Sequence, residues 1–156
     1  MTGRSRNWGG LIVSSIIEPE VVSALAKYVR TCTIPAQHKQ ALQEHPRTVQ
    51  AFRKEFASGA FRIVPVNDQL LATATDLLRD HPNWEIGAAD ALHLATAISV
   101  RATMDRDVRV VFVTADRGLA KAAEVKGFRV FDPVYHGIEA LTAIDGLKPA
   151  EGSDSR

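Results

Sequence analysis

The sequence is poor in several features that would assign a protein to a specialised class. It contains one cysteine, Cys32, so no disulfide can form within the chain, and this fits a reducing compartment. No apolar run approaches the roughly 20 residues that a membrane-spanning helix needs. Internal repeats and low-complexity segments are also missing. We therefore expect a cytoplasmic protein that does not enter a membrane.

An excess of charge of either sign is missing as well. Nineteen Lys and Arg residues stand against 18 Asp and Glu residues, so the net charge is only +1. The chain therefore has no overall electrostatic signature of nucleic-acid binding, and any such contact would need a local basic cluster. The sequence offers two such clusters, Arg47, Arg53 and Lys54 in one and Arg101, Arg106 and Arg109 in the other. Basic clusters of this kind are also common on plain solvated surfaces, so both readings stay open.

What the sequence does contain is an alternation of strand-like and helix-like segments. Short apolar runs predict four strands, GLIVSSI (10–16), FRIVPV (61–66), VRVVFVT (108–114) and FRVFDP (128–133). Helical spacing of apolar residues predicts helices over 18–28, over 67–81, within 85–100 and over 116–126. Asn67 is the expected N-cap of the second of these, and Gly127 is expected to end the last.

Two further segments have weaker patterns. Residues 35–59 are polar with sparse apolar positions, and we expect a helix that is divided near Pro46. A short helix is expected at 137–144. Together the segments predict an α/β fold, a parallel β-sheet flanked by helices, over residues 11–146 between a flexible N-terminus at 1–10 and a flexible tail at 147–156. The VVFVT strand is expected to be internal in that sheet, parallel to both LIVSS and FRVF.

Three acidic residues stand at the beginnings of predicted helices. Asp116 follows the VVFVT strand, Glu20 follows the first strand, and Asp90 opens the helix of EIGAADALHLATAISV. Ligands of open parallel sheets bind beyond the carboxyl ends of the strands, so these carboxylates could converge there. Each also has a purely structural reading. Asp116 would be an N-cap, unless Thr114 takes that role, and the other two would be acids placed favourably against a helix dipole.

Converging carboxylates have a definite chemical consequence. They repel one another and resist joint ionisation. A hard divalent cation such as Mg²⁺ relieves that repulsion and prefers oxygen ligands. Such an ion can polarise a phosphoryl group and activate a bound water, so the pattern points to hydrolysis of phosphodiester bonds. From spacing alone, an unrelated α/β domain whose acids are all helix caps stays open.

Four stretches carry a resemblance to a known family. They are SSIIEPEVVSALAKYVR (14–30), FRIVPV (61–66), AADALHLATA (88–97) and VVFVTADRGLAKAAEVKGFRVFDP (110–133). In these stretches the chain resembles PIN-domain proteins, particularly the toxin ribonucleases of VapC-type toxin–antitoxin pairs. The resemblance implies a Mg²⁺- or Mn²⁺-dependent endoribonuclease that acts on RNA, forms a homodimer and is neutralised by a small antitoxin protein. It also implies that Glu20, Asp90 and Asp116 are the catalytic, metal-binding acids, with the Thr114 hydroxyl near the metal.

The resemblance also reveals a gap. PIN domains open with a strand that ends in an aspartate, followed by a helix, whereas residues 1–17 contain neither Asp nor Glu. We therefore expect that the usual first strand is missing, and with it one of the family's four acids. Two functions stay open. The first is an endoribonuclease toxin whose activity is reduced by this truncation, and the second is a non-catalytic PIN-like module that keeps an antitoxin or dimer interface.

Overall fold

Residues 10–135 are described in a computed structural model of the chain. The predicted helix at 137–144 and the tail at 147–156 lie outside this range, as does almost all of the N-terminal segment 1–10. Within it, the elements in chain order are β1 (Leu11–Ser14), α1 (Ile17–Thr31), α2 (Pro35–Ala57), β2 (Phe61–Val64), α3 (Asp68–Asp80), α4 (Ala88–Thr103), β3 (Val111–Val113), α5 (Arg117–Val125) and β4 (Arg129–Phe131). Each of the four predicted strands is present. No helix between residues 10 and 135 has the length and apolar character needed to cross a membrane.

The chain divides into two compact units, residues 1–71 and 72–156. In the first unit, β1 and β2 pair in parallel, from Leu11 opposite Phe61 to Ser14 opposite Val64. Helices α1 and α2 pack against each other. A His38 ring nitrogen lies 3.0 Å from the carbonyl oxygen of Val29, which is itself buried. The first unit is therefore a parallel strand pair accompanied by a pair of helices.

The second unit is built around α4. Leu94 on this helix has no exposed surface, and Ala91 and Ala95 are equally buried. Helix α5 contributes a second row of buried small residues, and the two helices contact each other. Strands β3 and β4 pair in parallel, and the rings of Phe112 and Phe128 lie 5.9 Å apart between their centroids. Buried alanines allow α4 and α5 to approach closely, which positions the beginnings of both helices.

The predicted N-cap at Asn67 and the predicted helix end at Gly127 are both confirmed. The Asn67 side-chain oxygen accepts a hydrogen bond from the Leu70 N–H at 2.9 Å, which caps α3. Gly127 follows α5 with φ of +78°, a backbone conformation that glycine adopts without steric cost. The Phe128 N–H then donates to the Ala123 carbonyl, and this bond turns the chain back toward β4.

The expected division of the polar segment near Pro46 is wrong. Helix α2 runs without interruption from Pro35 to Ala57, with Pro46 inside it. Proline removes the helical hydrogen bond to the carbonyl four residues earlier, here that of Leu42. Both residues are exposed, so water can hydrate that carbonyl, and the helix loses one bond rather than its continuity.

The expected internal position of the VVFVT strand is also wrong. Strand β3 is parallel to β4 as predicted, but within residues 10–135 it pairs with no second strand. The four strands form two separate two-stranded sheets, β1 with β2 and β3 with β4. Val113 at the end of β3 is 48% exposed, which agrees with an edge position. The α/β class and the parallel pairing are thus confirmed, whereas a single continuous sheet is not observed.

Candidate active site

Asp116 is the N-cap of α5. Its Oδ1 atom accepts a hydrogen bond from the Leu119 N–H at 2.7 Å. The alternative that Thr114 caps the helix is wrong, because the Thr114 hydroxyl oxygen instead accepts from the Asp116 N–H at 3.1 Å. This second bond fixes the backbone of Asp116 at the carboxyl end of β3. The cap bond uses one carboxylate oxygen, and the other oxygen does not take part in it.

Asp90 has a corresponding role at the beginning of α4. The helix has Gly87 as its N-cap, and glycine has no side chain with which to cap. The Asp90 Oδ2 atom reaches back and accepts a hydrogen bond from the Gly87 N–H at 2.8 Å. The carboxylate thereby satisfies one of the unpaired donors at the helix terminus. As with Asp116, the other carboxylate oxygen does not take part in this bond.

The beginnings of α4 and α5 adjoin each other. Gly118, in the first turn of α5, lies so close to the chain leading into α4 that an added Cβ would overlap the Glu85 carbonyl oxygen. The same Cβ would lie 3.3 Å from the Asp116 Oδ1 atom. Two helix N-termini, each with a partial positive charge and its own aspartate, therefore meet at one end of the second unit.

We expect Gly118→Ala to lower the free energy of unfolding by about 1–3 kcal/mol, because the methyl group meets a backbone carbonyl that cannot rotate away. Gly10→Ala is the matched control, since nothing lies within 4 Å of a Cβ at Gly10. Urea denaturation of both variants measures the difference. Equal stability of Gly118→Ala and the parent chain would show that α5 shifts without cost and that the close approach is unimportant.

Glu20 lies in the first unit, in the first turn of α1. Glu18 lies in the same first turn of α1. The Glu18 carboxylate accepts a hydrogen bond from the Arg53 Nε atom at 3.0 Å, so it forms an ion pair with α2. Glu18 is thus engaged within its own unit. Arg53, a member of one basic cluster, is engaged in the same ion pair.

The described residues bring two of the three acids to one end of one unit. Within residues 10–135, no group of three or more His, Cys, Asp and Glu side chains is positioned to hold a metal ion. The convergence of Glu20 with Asp90 and Asp116 therefore stays a prediction. The donor chemistry of the two aspartates fits a hard divalent cation, because Mg²⁺ is commonly bound by one or two carboxylates together with water and substrate phosphates.

Sequence reasoning missed one further acid at this end of the sheet. Asp132 directly follows β4, the neighbour of β3, and its Oδ1 atom accepts from the Val134 N–H at 2.8 Å. The carboxyl ends of paired parallel strands lie at the same edge, so the position of Asp132 after a predicted strand was the available signal. It also missed that Arg101 packs over the Phe128 ring, 4.0 Å from its centroid, instead of belonging to a loose basic cluster.

Comparison with known proteins gives one positive result. The sequence model of the PIN-domain family matches residues 4–125, well over half of the chain. The matched range includes Glu20, Asp90 and Asp116. A search of curated proteins found no match.

Proposed function

Since the chain belongs to the PIN-domain family, whose members are in general metal-dependent nucleases, we propose that it is a Mg²⁺- or Mn²⁺-dependent endoribonuclease. We further propose that it is the toxin of a toxin–antitoxin pair, neutralised by a small antitoxin protein and active as a homodimer. The observation that carries the nuclease proposal is the meeting of two aspartate-bearing helix N-termini at one end of the second unit.

The proposed roles follow from the bonds that the acids already make. Asp90 and Asp116 would hold the cation through the carboxylate oxygens that are outside their cap bonds, and Glu20 would complete the set. The bound cation supplies polarisation of the phosphoryl group and activation of water. The cap bonds hold both aspartates in fixed positions. The N-termini of α4 and α5 favour negative charge, which suits a phosphate near the two aspartates.

A non-catalytic role is the second candidate. Each aspartate has a complete structural explanation as a helix cap, and this observation favours a PIN-like module that keeps an antitoxin or dimer interface without cleaving RNA. The two functions differ in one measurable respect. Only the nuclease requires that the carboxylates bind a cation, whereas a cap needs no more than a hydrogen-bond acceptor.

Cleavage of a mixed RNA pool by the purified chain, with Mg²⁺ or Mn²⁺ and with EDTA as control, tests the proposal. Cleavage that needs the metal supports the nuclease. Its absence across both metals, in a chain shown to be folded by circular dichroism, supports the non-catalytic module. Binding of the same RNA pool in EDTA separates loss of catalysis from loss of substrate binding.

We expect the 156-residue chain to cleave RNA slowly. Residues 1–17 contain no acid that could serve as the fourth member of the family's set, and fewer negative ligands offset less of the dehydration that Mg²⁺ resists. Adding an upstream strand that ends in Asp should raise the rate and lower the Mg²⁺ concentration needed for half-maximal cleavage. The same extension ending in Asn is the matched control. Equal rates for the two extended forms would show that a fourth acid is not needed.

A further inference from the structure

A pocket of about 270 Å³ lies in the second unit, on surfaces of α3, α4 and the end of α5. Leu77 and Ile98 give it an apolar part. Its charged part contains the Asp76 and Asp80 carboxylates from α3 and two cations, Arg101 and Lys126. The volume is slightly below the range of about 300–1,000 Å³ for drug-sized ligands, so the pocket suits a small molecule or one group of a larger one.

The two carboxylates of the pocket share one cationic partner on their own helix. Arg79 binds both of them, with its Nη1 atom 2.7 Å from Asp76 and its Nε atom 2.8 Å from Asp80. The hydrogen bond from Arg79 lowers the pKa of the Asp80 carboxyl below its usual value. Both acids are therefore paired with Arg79 within α3. The Lys126 charge also lowers the Asp80 pKa, but among the described residues neither acid forms an ion pair with Arg101 or Lys126.

The two cations are held in place by a backbone carbonyl and by aromatic side chains. The Arg101 guanidinium donates to the Lys126 carbonyl oxygen at 2.9 Å and lies over the Phe128 ring. The Lys126 ammonium lies 3.1 Å from the His81 Nε2 atom. Because an ammonium can only donate, the His81 Nε2 atom accepts in this contact. Among the described residues neither cation takes part in an ion pair.

His81, which lines the pocket, belongs to an aromatic stack. The rings of His81 and Trp84 are stacked, with centroids 3.9 Å apart and an angle of 6° between their planes. The Lys126 ammonium lies 5.5 Å from the centroid of the Trp84 ring. Two fixed cations that form no ion pair among the described residues, beside a flat aromatic surface, are complementary to a compact anion that accepts several hydrogen bonds.

We propose that this pocket binds one phosphate group of a nucleotide, through the Arg101 guanidinium and the Lys126 ammonium. Arginine gives directional hydrogen bonds to phosphate oxygens, and lysine adds a mobile point charge. The phosphate can belong to a free mononucleotide or to the backbone of an RNA strand, and both sources offer the same chemistry. The site is separate from the aspartates of the proposed active site and needs neither metal nor cleavage.

NMR titrations in EDTA test the proposal with three probes, which are inorganic phosphate, adenosine 5′-monophosphate and a short RNA oligomer. The Trp84 indole N–H signal reports on the pocket, and a Trp8→Phe variant assigns it. We expect a saturable shift of this signal. Phosphate and the mononucleotide binding as tightly as RNA would identify a site for free phosphate esters, whereas RNA binding at least about tenfold tighter would identify a backbone contact.

Charge-changing variants decide whether the two cations hold the phosphate. Lys126→Gln and Arg101→Gln should each weaken binding by about tenfold, since each removes a charge-assisted hydrogen bond. Asp80→Asn should strengthen binding by about twofold, because it removes an opposing charge. Lys121→Gln, which removes an exposed charge from α5 outside the pocket, is the matched control. No saturable shift with any probe, or unchanged binding in both pocket variants, would overturn the proposal.

Discussion

Replacing Asp116 by asparagine is expected to lower metal-dependent RNA cleavage by more than about 100-fold and to leave the fold unchanged. Asparagine caps a helix as well as aspartate does, so the hydrogen bond from the Leu119 N–H can be kept. It does not supply the negative charge that a hard cation needs. Loss of groups that only support metal ligands already costs about 10–100-fold, so loss of a ligand should cost at least as much.

This substitution separates the two roles that one carboxylate combines. Initial cleavage rates, measured on whichever form of the chain cleaves RNA, give the chemical effect, and urea denaturation gives the effect on the cap. Asp90→Asn should behave in the same way, because the Gly87 N–H can still find an acceptor. Asp107→Asn, in the exposed loop before β3, is the matched control. Cleavage that survived Asp90→Asn and Asp116→Asn together would exclude both residues from the mechanism.

Leu94→Ala is expected to lower the free energy of unfolding by about 2–5 kcal/mol. Leu94 lies on α4 with no exposed surface. Its truncation removes apolar contacts and leaves a cavity that neighbouring helices fill only in part. Because α4 also carries Asp90 at its beginning, the same change should raise the metal concentration needed for cleavage.

Leu42→Ala provides the comparison for Leu94→Ala. Leu42 lies on α2 and is 53% exposed. Its truncation should lower the free energy of unfolding by less than about 0.5 kcal/mol. Urea denaturation of the two variants, followed by circular dichroism, gives the difference directly. A loss of less than about 1 kcal/mol at Leu94 would mean that the packing around α4 closes over the deleted atoms and contributes little to stability.

The sequence determined the kinds of elements and most of their positions. Apolar spacing located α3, and Asn67 and Gly127 identified the beginning of one helix and the end of another, because caps depend on neighbouring residues only. The parallel pairing also followed from the alternation of strands with helices. The same local reasoning failed at Pro46, where the outcome depended on whether water could reach one carbonyl.

Tertiary structure decided the partners of the strands. A β-branched run such as VVFVT shows that its side chains are suited to burial. Strands pair through backbone N–H and C=O groups, however, and these groups are the same in every residue. Side-chain pattern therefore could not show that β3 pairs with β4 alone within the described residues.

The candidate sites divide in the same way. The sequence singled out Asp90 and Asp116, because an acid after a strand or at the beginning of a helix is visible in one dimension. The sequence also offered Asp116 as an N-cap, which the fold confirmed. Only the fold showed that Asp90 bonds back to the Gly87 N–H, and that Gly118 and Glu85 bring the two helix beginnings together. The pocket of Arg101 and Lys126 could not be read from the sequence at all. Its two cations are 25 positions apart in the chain, and they are fixed by contacts that exist only when α4 and α5 are packed.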